Sequence, residues 1–286
     1  DALAIQEVNT FEHRSLTEGL SHKCGHDGHT TIGVGLAMLL QNEPLEHGAV
    51  TLLFQPSEEN GEGAQGVLKD PQFDPEEYDY AVALHNIPGE SLHEVLWKHD
   101  NFTPAVQSLI LRLTGRTSHA AEPLKGENPT YAIAEIVTEA LRLEETDEKH
   151  SNYRLITPVF TEIGSKDYGI SAGYGEIHFT IRSWHQTDME AATNDFMNEV
   201  QRIADEHRLR LESEIVAVFA SNQNNEDVVK AITDSAKQLG LDMTERSEPF
   251  PWGEDFGLFT QRIPGAMFGL GSGKNTPALH NPDYDY

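Results

Sequence analysis

Within His22-Lys23-Cys24-Gly25-His26-Asp27-Gly28-His29 the chain gathers its only cysteine, three histidines and an aspartate. Thiolate, imidazole and carboxylate are the side chains that bind a divalent transition metal, and a Cys-x-His pair on a bent loop reaches one cation or two neighbouring ones. Gly25 and Gly28 give the backbone the freedom such a loop needs. Two other chemistries are open to the same residues. Cys24 could be the nucleophile of a cysteine hydrolase with a nearby histidine as its base, or an inert, buried small hydrophobe. The choice turns on whether the rest of the chain supplies further ligands.

The elements that must position these groups follow a repeated pattern. After the loop, Ile32, Leu36, Leu39 and Leu40 fall at helical spacing over Thr30 to Leu40. The apolar run Ala49-Val50-Thr51-Leu52-Leu53-Phe54 reads as a buried parallel strand and stops at Gln55-Pro56-Ser57-Glu58-Glu59. A second such run, Tyr80 to Leu84, is followed by His85-Asn86, and a third, Ala266 to Leu270, leads to Leu279-His280-Asn281-Pro282. Sites in open α/β sheets form beyond the carboxyl ends of the strands. A lone glutamate pair is usually a solvated loop, but three strands each followed by ligand-type residues point to one shared site.

Between these segments the periodicity changes. Gln107 to Leu113 alternates, and Asn128 followed by Pro129 starts a helix with Ala132, Ile133, Ile136, Val137, Ala140 and Leu141 on one face. Strands are expected at Leu155 to Glu162, Tyr174 to Ser183 and Leu209 to Phe219. A second helix is expected from a Thr187-Asp188-Met189-Glu190 capping box, with Phe196, Val200 and Ile203 inward. Strand, helix, strand, strand, helix, strand is a ferredoxin-like order. The expected organisation is a catalytic domain in two parts, 1–103 and 220–286, with an inserted α+β domain over 104–219. A helix from Asn225 to Gln238 with Gly240 at its end opens the second part.

Composition narrows the function. With 47 acidic against 20 basic residues and a net charge of −27, the surface repels nucleic acid and anionic membranes, and it suits a protein kept soluble at high salt. No apolar run approaches a membrane span. A single cysteine excludes an intrachain disulfide framework and fits a reducing compartment, so a cytoplasmic location is expected. The chain opens on Asp1 rather than methionine, and a further N-terminal segment is expected.

Taken in order, Cys24-Gly25-His26-Asp27-Gly28-His29, Gln55-Pro56-Ser57-Glu58-Glu59, Leu84-His85-Asn86, Thr117-Ser118-His119, Glu254-Asp255-Phe256 and Leu279-His280-Asn281-Pro282 resemble the motifs of the aminoacylase and carboxypeptidase-G-like metallopeptidases. The nearest branch is that of the N-acyl-amino-acid amidohydrolases, which includes hippurate hydrolases and plant auxin-conjugate hydrolases. The resemblance runs from Asp1 to the end of the chain. It implies an α/β, mixed-sheet di-metal hydrolase with a ferredoxin-like lid and dimerisation domain, and so a homodimer acting on N-acyl amino acids or related small conjugates. It further implies two divalent ions, zinc, manganese, cobalt or nickel, held by Cys24, His26, Glu59, His85 and His280, with Cys24 bridging. Glu58 matches the general base, Asp1 the aspartate that orients a metal ligand, and His119 a lid histidine that holds the developing oxyanion. Arg182 matches an arginine that would meet a substrate carboxylate.

Two departures stand out. Gly169 lies where relatives carry a substrate-binding asparagine, and the family's first βαβ-like segment and final strand or helix are expected to be missing. Both features leave room for a relative that binds a ligand without turnover. His22 and His29 are expected to support the loop, and Glu254 and Asp255 to support the ligands or cap a helix. His13, His47, His93, His99, His150, His178, His185 and His207 read as exposed or locally bonded.

Overall fold

The computed structural model describes residues 1–150 and 152–286. In chain order the elements are α1 (His26–Asn42), α2 (Gly63–Lys69), β1 (Ala81–Pro88), β2 (Val95–Trp97), β3 (Asp100–Thr103), β4 (Ala105–Thr114), β5 (Ser118–His119), α3 (Pro129–Leu143), β6 (Arg154–Ile163), β7 (Ile170–Ser171), β8 (Tyr174–Ser183), α4 (Gln186–Glu206), β9 (Arg210–Phe219), β10 (Asn222–Asn224), α5 (Glu226–Gln238), β11 (Met243–Glu245), α6 (Gly257–Thr260) and β12 (Gly265–Gly273). They fall into two compact units. One comprises Asp1–Phe102, Asn222–Ser247 and Asp255–Tyr286, the other Thr103–Ser221 and Glu248–Glu254. No helix among the described residues is long and apolar enough to cross a membrane.

The first unit is built on a mixed sheet of order β1-β12-β2-β11. β1 runs parallel to β12 with His85 opposite Gly269, β12 is antiparallel to β2, and β2 is parallel to β11. α5 packs on this sheet through Val228 and Val229 against Ala266. Asn225 starts it, its side chain accepting hydrogen bonds from the N–H groups of Asp227 and Val228.

Three expectations are corrected here. β1 continues through His85 and Asn86 to Pro88, because β12 pairs with it along that whole length; the ligand-type residues sit within the strand, not after it. Residues 49–54 form no strand, and Val50, Leu53 and Phe54 are about half exposed. A strand exists only through its ladder, and no described segment pairs with this run. α1 starts earlier than expected, at His26, and buries none of its residues fully.

The second unit follows the order read from the sequence. Its sheet is β6-β8-β4-β9 with every neighbour antiparallel, which is the ferredoxin-like arrangement of strand, helix, strand, strand, helix, strand. Alternation decides the faces: Ile177, Phe179 and Ile181 of β8 are buried under α3 and α4, while Glu176, His178, Thr180 and Arg182 line the other face. Ile133 and Ile136 from α3 and Phe196, Val200 and Ile203 from α4 complete the core. The Phe179 and Phe196 rings meet edge to face, 5.0 Å apart. The Thr187–Glu190 capping box does not form. α4 begins two residues earlier than that box requires, with His185 as N-cap, and the free N–H of Gln186 is taken by Ser221 Oγ at 3.2 Å, so Thr187 lies inside the first turn.

Candidate metal centre

The first unit brings Cys24, His26, Glu58, Glu59, His85 and His280 into one cluster. Ligand atoms of Cys24, His26 and His85, of Cys24, Glu59 and His280, and of His26, Glu58 and Glu59 each lie within 4.8 Å of one another. Three overlapping sets that share Cys24, His26 and Glu59 are what two adjacent cations require.

Local structure explains how each group arrives. Gly25 adopts a positive φ of 87° at the start of α1, so Cys24 and His26 project from a sharp turn. Cys24 is buried with its Sγ 3.6 Å from His85 Nε2. His85 donates Nδ1–H to the main-chain carbonyl of Asn86 at 2.8 Å, which leaves Nε2 as the lone-pair nitrogen. His26 Nδ1 is tied to Asp1 Oδ1 at 2.7 Å, and Asp1 Oδ2 accepts the main-chain N–H of Glu59 at 3.2 Å. One carboxylate thus orients a histidine and a glutamate together. His280 is held through its backbone N–H to the Lys23 carbonyl at 2.6 Å.

Glu58 and Glu59 sit on a tight turn in which Ser57 has a φ of 62° and its carbonyl accepts from Glu62 and Gly63. Asp255 braces that turn: its carboxylate accepts from Gln55 Nε2 and from the Ala64 N–H at 2.8 Å. Its own N–H points to Glu58 Oε1 at 3.4 Å. Asp255 therefore takes the supporting part expected of it, whereas Glu254 belongs to the second unit.

Burial sets the charges. It pushes the Glu58 carboxyl up to about 8, helped by the neighbouring negative charges of Asp255 and Glu59. It also lowers His85 to about 4 and His29 to about 3, and pulls His26 down. Neutral imidazoles are the form that ligates a metal. Glu59 Oε1 is buried with no hydrogen-bond partner; its nearest ring nitrogens, His280 Nε2 and His26 Nε2, stand 3.6 and 4.0 Å away. A buried carboxylate oxygen without a donor, facing imidazole lone pairs and a thiol, fits a divalent cation.

The flanking histidines support the loop. His29 Nε2 reaches Asn86 Oδ1 at 2.5 Å and His22 Nδ1 reaches the Asp1 carbonyl at 2.9 Å. Elsewhere His13, His178 and His207 are engaged by Asp285, Glu176 and Glu135. Sequence reasoning missed four members of this region. The buried Lys23 ammonium pairs with Glu7 at 2.7 Å and donates to the Tyr284 carbonyl at 2.7 Å, and the buried Asn86 side chain meets the Tyr284 hydroxyl. Asn86 could have been found from its place beside His85; Glu7 and Tyr284 carry no local signal.

His119 and Arg182 belong to the second unit. His119 lies exposed on β5, its Nδ1 accepting from the Ala121 N–H at 3.1 Å. Arg182, on β8 between Val106 and Leu155, is half-buried without a carboxylate partner among the described residues, and burial lowers its pKa. Gly169 donates its N–H to Asp167 Oδ1 at 3.0 Å.

The family model of peptidase family M20/M25/M40 matches residues 1–286. The chain belongs to that family. This makes it a metal-dependent hydrolase of amide bonds. Among its relatives are an N-acetylcysteine deacetylase of Bacillus subtilis, 26% identical over 99% of this chain and 74% of the relative, and a hippurate hydrolase of Campylobacter jejuni, 26% identical with the same coverage. In fold, the M20 chain matches a dinuclear metal-binding peptidase of Bacillus subtilis with a TM-score of 0.82 at 24% identity, over 100% of this chain and 73% of that one. A putative aminohydrolase from methicillin-resistant Staphylococcus aureus matches with a TM-score of 0.87 at 20% identity, over 100% and 74%.

Proposed function

We propose that this chain hydrolyses the amide bond of small N-acyl amino acids to a carboxylic acid and an amino acid, with Cys24, His26, Glu59, His85 and His280 holding two divalent ions. The observation that carries the reading is the buried, unpartnered Glu59 Oε1 among imidazole and thiol donors, beside a second carboxyl, Glu58, raised to about 8. Zinc, manganese, cobalt and nickel all suit this mixed donor set.

When bound, such ions polarise the amide carbonyl and acidify water. Glu58 takes a proton from the attacking water and delivers it to the departing amine nitrogen, a task suited to a group whose pKa lies near the working pH. Glu59, its neighbour, stays on the metal side, which is how two adjacent carboxylates divide ligation from proton transfer. Asp1 holds His26 and the Glu59 backbone in register. In the second unit, which would act as lid and homodimer interface, His119 would donate to the developing oxyanion and Arg182 would receive the substrate carboxylate. Gly169 withholds the amide side chain that relatives offer there, so specificity would rest more heavily on Arg182. The single, buried cysteine fits a reducing, cytoplasmic setting.

The test combines metal content with hydrolysis of a panel of N-acyl amino acids, for wild type and Glu58→Gln, before and after chelation and metal return. Cleavage that is restored by metal and absent in metal-loaded Glu58→Gln supports the assignment. Turnover by metal-free protein would overturn it, and bound metal without turnover would mark a ligand-binding relative.

A further inference from the structure

Behind the ligands lies a polar connection that the reaction itself does not use. β1 places His85 and Asn86 on opposite sides of one buried strand: His85 faces Cys24, and Asn86 faces His29 and Tyr284. Asn86 is fully buried, and so is Tyr284. The Asn86 main-chain carbonyl takes the Nδ1–H of His85 at 2.8 Å. Its Oδ1 lies 2.5 Å from His29 Nε2, on α1, the nitrogen to which the Asn86 main-chain N–H also points at 3.2 Å, and its Nδ2 donates to the Tyr284 hydroxyl. The carboxamide is also the floor of the metal loop, since a Cβ at Gly25 would stand 2.7 Å from both Asn86 Nδ2 and Oδ1.

Residues 280–286 hold the same loop from the other side. The Tyr284 carbonyl caps the buried Lys23 ammonium, His280 N–H bonds the Lys23 carbonyl, and the Tyr286 ring lies where a side chain on Gly28 would be, 2.3 Å from such a Cβ. A carboxamide has a twofold choice of orientation. Its two side-chain partners fix it together: Nδ2 meets the Tyr284 hydroxyl and Oδ1 lies against His29.

We propose that Asn86 and Tyr284 are a positioning pair, in which the Tyr284 hydroxyl anchors the Asn86 carboxamide against Gly25 and thereby sets the Cys24–His26 turn for metal binding. The inference rests on reading the cluster as a metal centre. It assigns the pair no contact with substrate. Removing the hydroxyl leaves a buried Nδ2–H without an acceptor, and the carboxamide is then free to turn and shift the loop above it. Outer partners of metal ligands commonly govern affinity by about 10- to 100-fold.

The test titrates the full chain with cobalt(II) and follows the visible bands and the thiolate charge-transfer band of Cys24, for wild type, Tyr284→Phe, Asn86→Ala and the double variant. Tyr284→Phe is expected to weaken cobalt binding about tenfold or more and to shift the Cys24 band. The double variant is expected to bind no worse than Asn86→Ala alone, because the two residues act through one link. Unchanged affinity and spectrum in Tyr284→Phe, or additive losses, would overturn the pair. Wild type that binds no cobalt would instead overturn the metal centre on which it stands. Far-ultraviolet circular dichroism checks each metal-free variant, and if Tyr284→Phe does not fold, ¹⁵N spectra of the wild-type histidines decide. They are expected to give Nδ1–H for His85, with a slowly exchanging Asn86 carboxamide. A rapidly exchanging Asn86 carboxamide would refute the proposal.

Discussion

The two units are held together by different means. The second is a packed object: β4, β6, β8 and β9 turn one apolar face toward α3 and α4, and its core reaches full burial at Leu111, Leu113, Ile136, Ile156, Ile177, Phe179, Phe196 and Val200. The first, around its cluster, is a polar object. There Lys23, His85, Asn86 and Asp255 are buried and satisfied by one another's neighbours, while α1, which carries His26, has no fully buried residue. Packing tolerates many substitutions of similar volume; a polar cluster tolerates few, because each lost partner strands a buried group. Function and stability are therefore expected to be lost separately in the two units.

The strongest way to break that contrast is Glu58→Gln. It keeps the volume and removes a carboxyl whose ionisation burial already opposes. Activity is expected to fall by about 10²- to 10⁴-fold, the usual contribution of a general base, with metal retained and no loss of melting temperature. A parallel collapse in stability, measured by thermal melting, would mean that Glu58 is structural. Phe196→Ala is the complementary probe. Its ring is fully buried against Phe179, and truncation is expected to cost about 3–5 kcal/mol in chemical denaturation, with metal binding by the folded fraction unchanged.

The pH dependence of the metal-free protein sharpens the contrast, since its strongest determinants all sit in the first unit. His85 and His29, near 4 and 3 when folded, take up protons in the unfolded chain below about 6.5. Stability is therefore lost as pH falls from that value toward 4. Glu58 acts in the opposite sense. Held near 8 when folded against about 4.3 when unfolded, it keeps its proton in the native state and destabilises the fold progressively as pH rises toward 8. Urea melts at a series of pH values should give a maximum near about pH 6.5, with an acid limb on the order of 3 kcal/mol. Glu58→Gln should remove the alkaline limb and leave the acid one. A maximum that does not move in Glu58→Gln would disprove the assignment of that limb.

What was legible in the sequence divides along the same line. In the second unit, periodicity carried almost everything: β8 runs from Tyr174 to Ser183 and α3 begins at Pro129 after Asn128, because alternation and a proline-marked helix start are local signals. The capping box at Thr187 failed because Ser221, 34 positions away in the chain, supplies the first turn of α4 instead. In the first unit, the ligand types were visible as motifs, yet the supports were not. Asp255 braces Gln55 across 200 residues and Ala64 across 191, and Tyr284 meets Asn86 across 198; no window of sequence contains such pairs. The run at 49–54 misled for the same reason. Hydrophobicity marks a segment fit for a strand, but only a neighbouring chain makes it one.

The smallest expected effect concerns charge, and it applies to the whole molecule. The chain carries 47 acidic and 20 basic residues. Some of its cations form surface pairs, such as Arg202 with Glu199 and Glu206, or Arg112 with Glu176 and Glu214. Salt weakens these attractions, but exposed pairs contribute little to begin with. It also weakens the repulsion among the unpaired carboxylates, which outnumber them. Shortening the screening length from about 10 Å at 0.1 M to about 3 Å at 1 M should therefore raise the stability of wild type, by about 1 kcal/mol or roughly 2–4 °C in melting temperature. The comparison of sodium chloride with sucrose isolates the cause, because sucrose favours burial without screening charge. If the melting temperature falls with salt, the exposed pairs outweigh the net charge, and the acidic surface cannot be read as an adaptation to ionic strength.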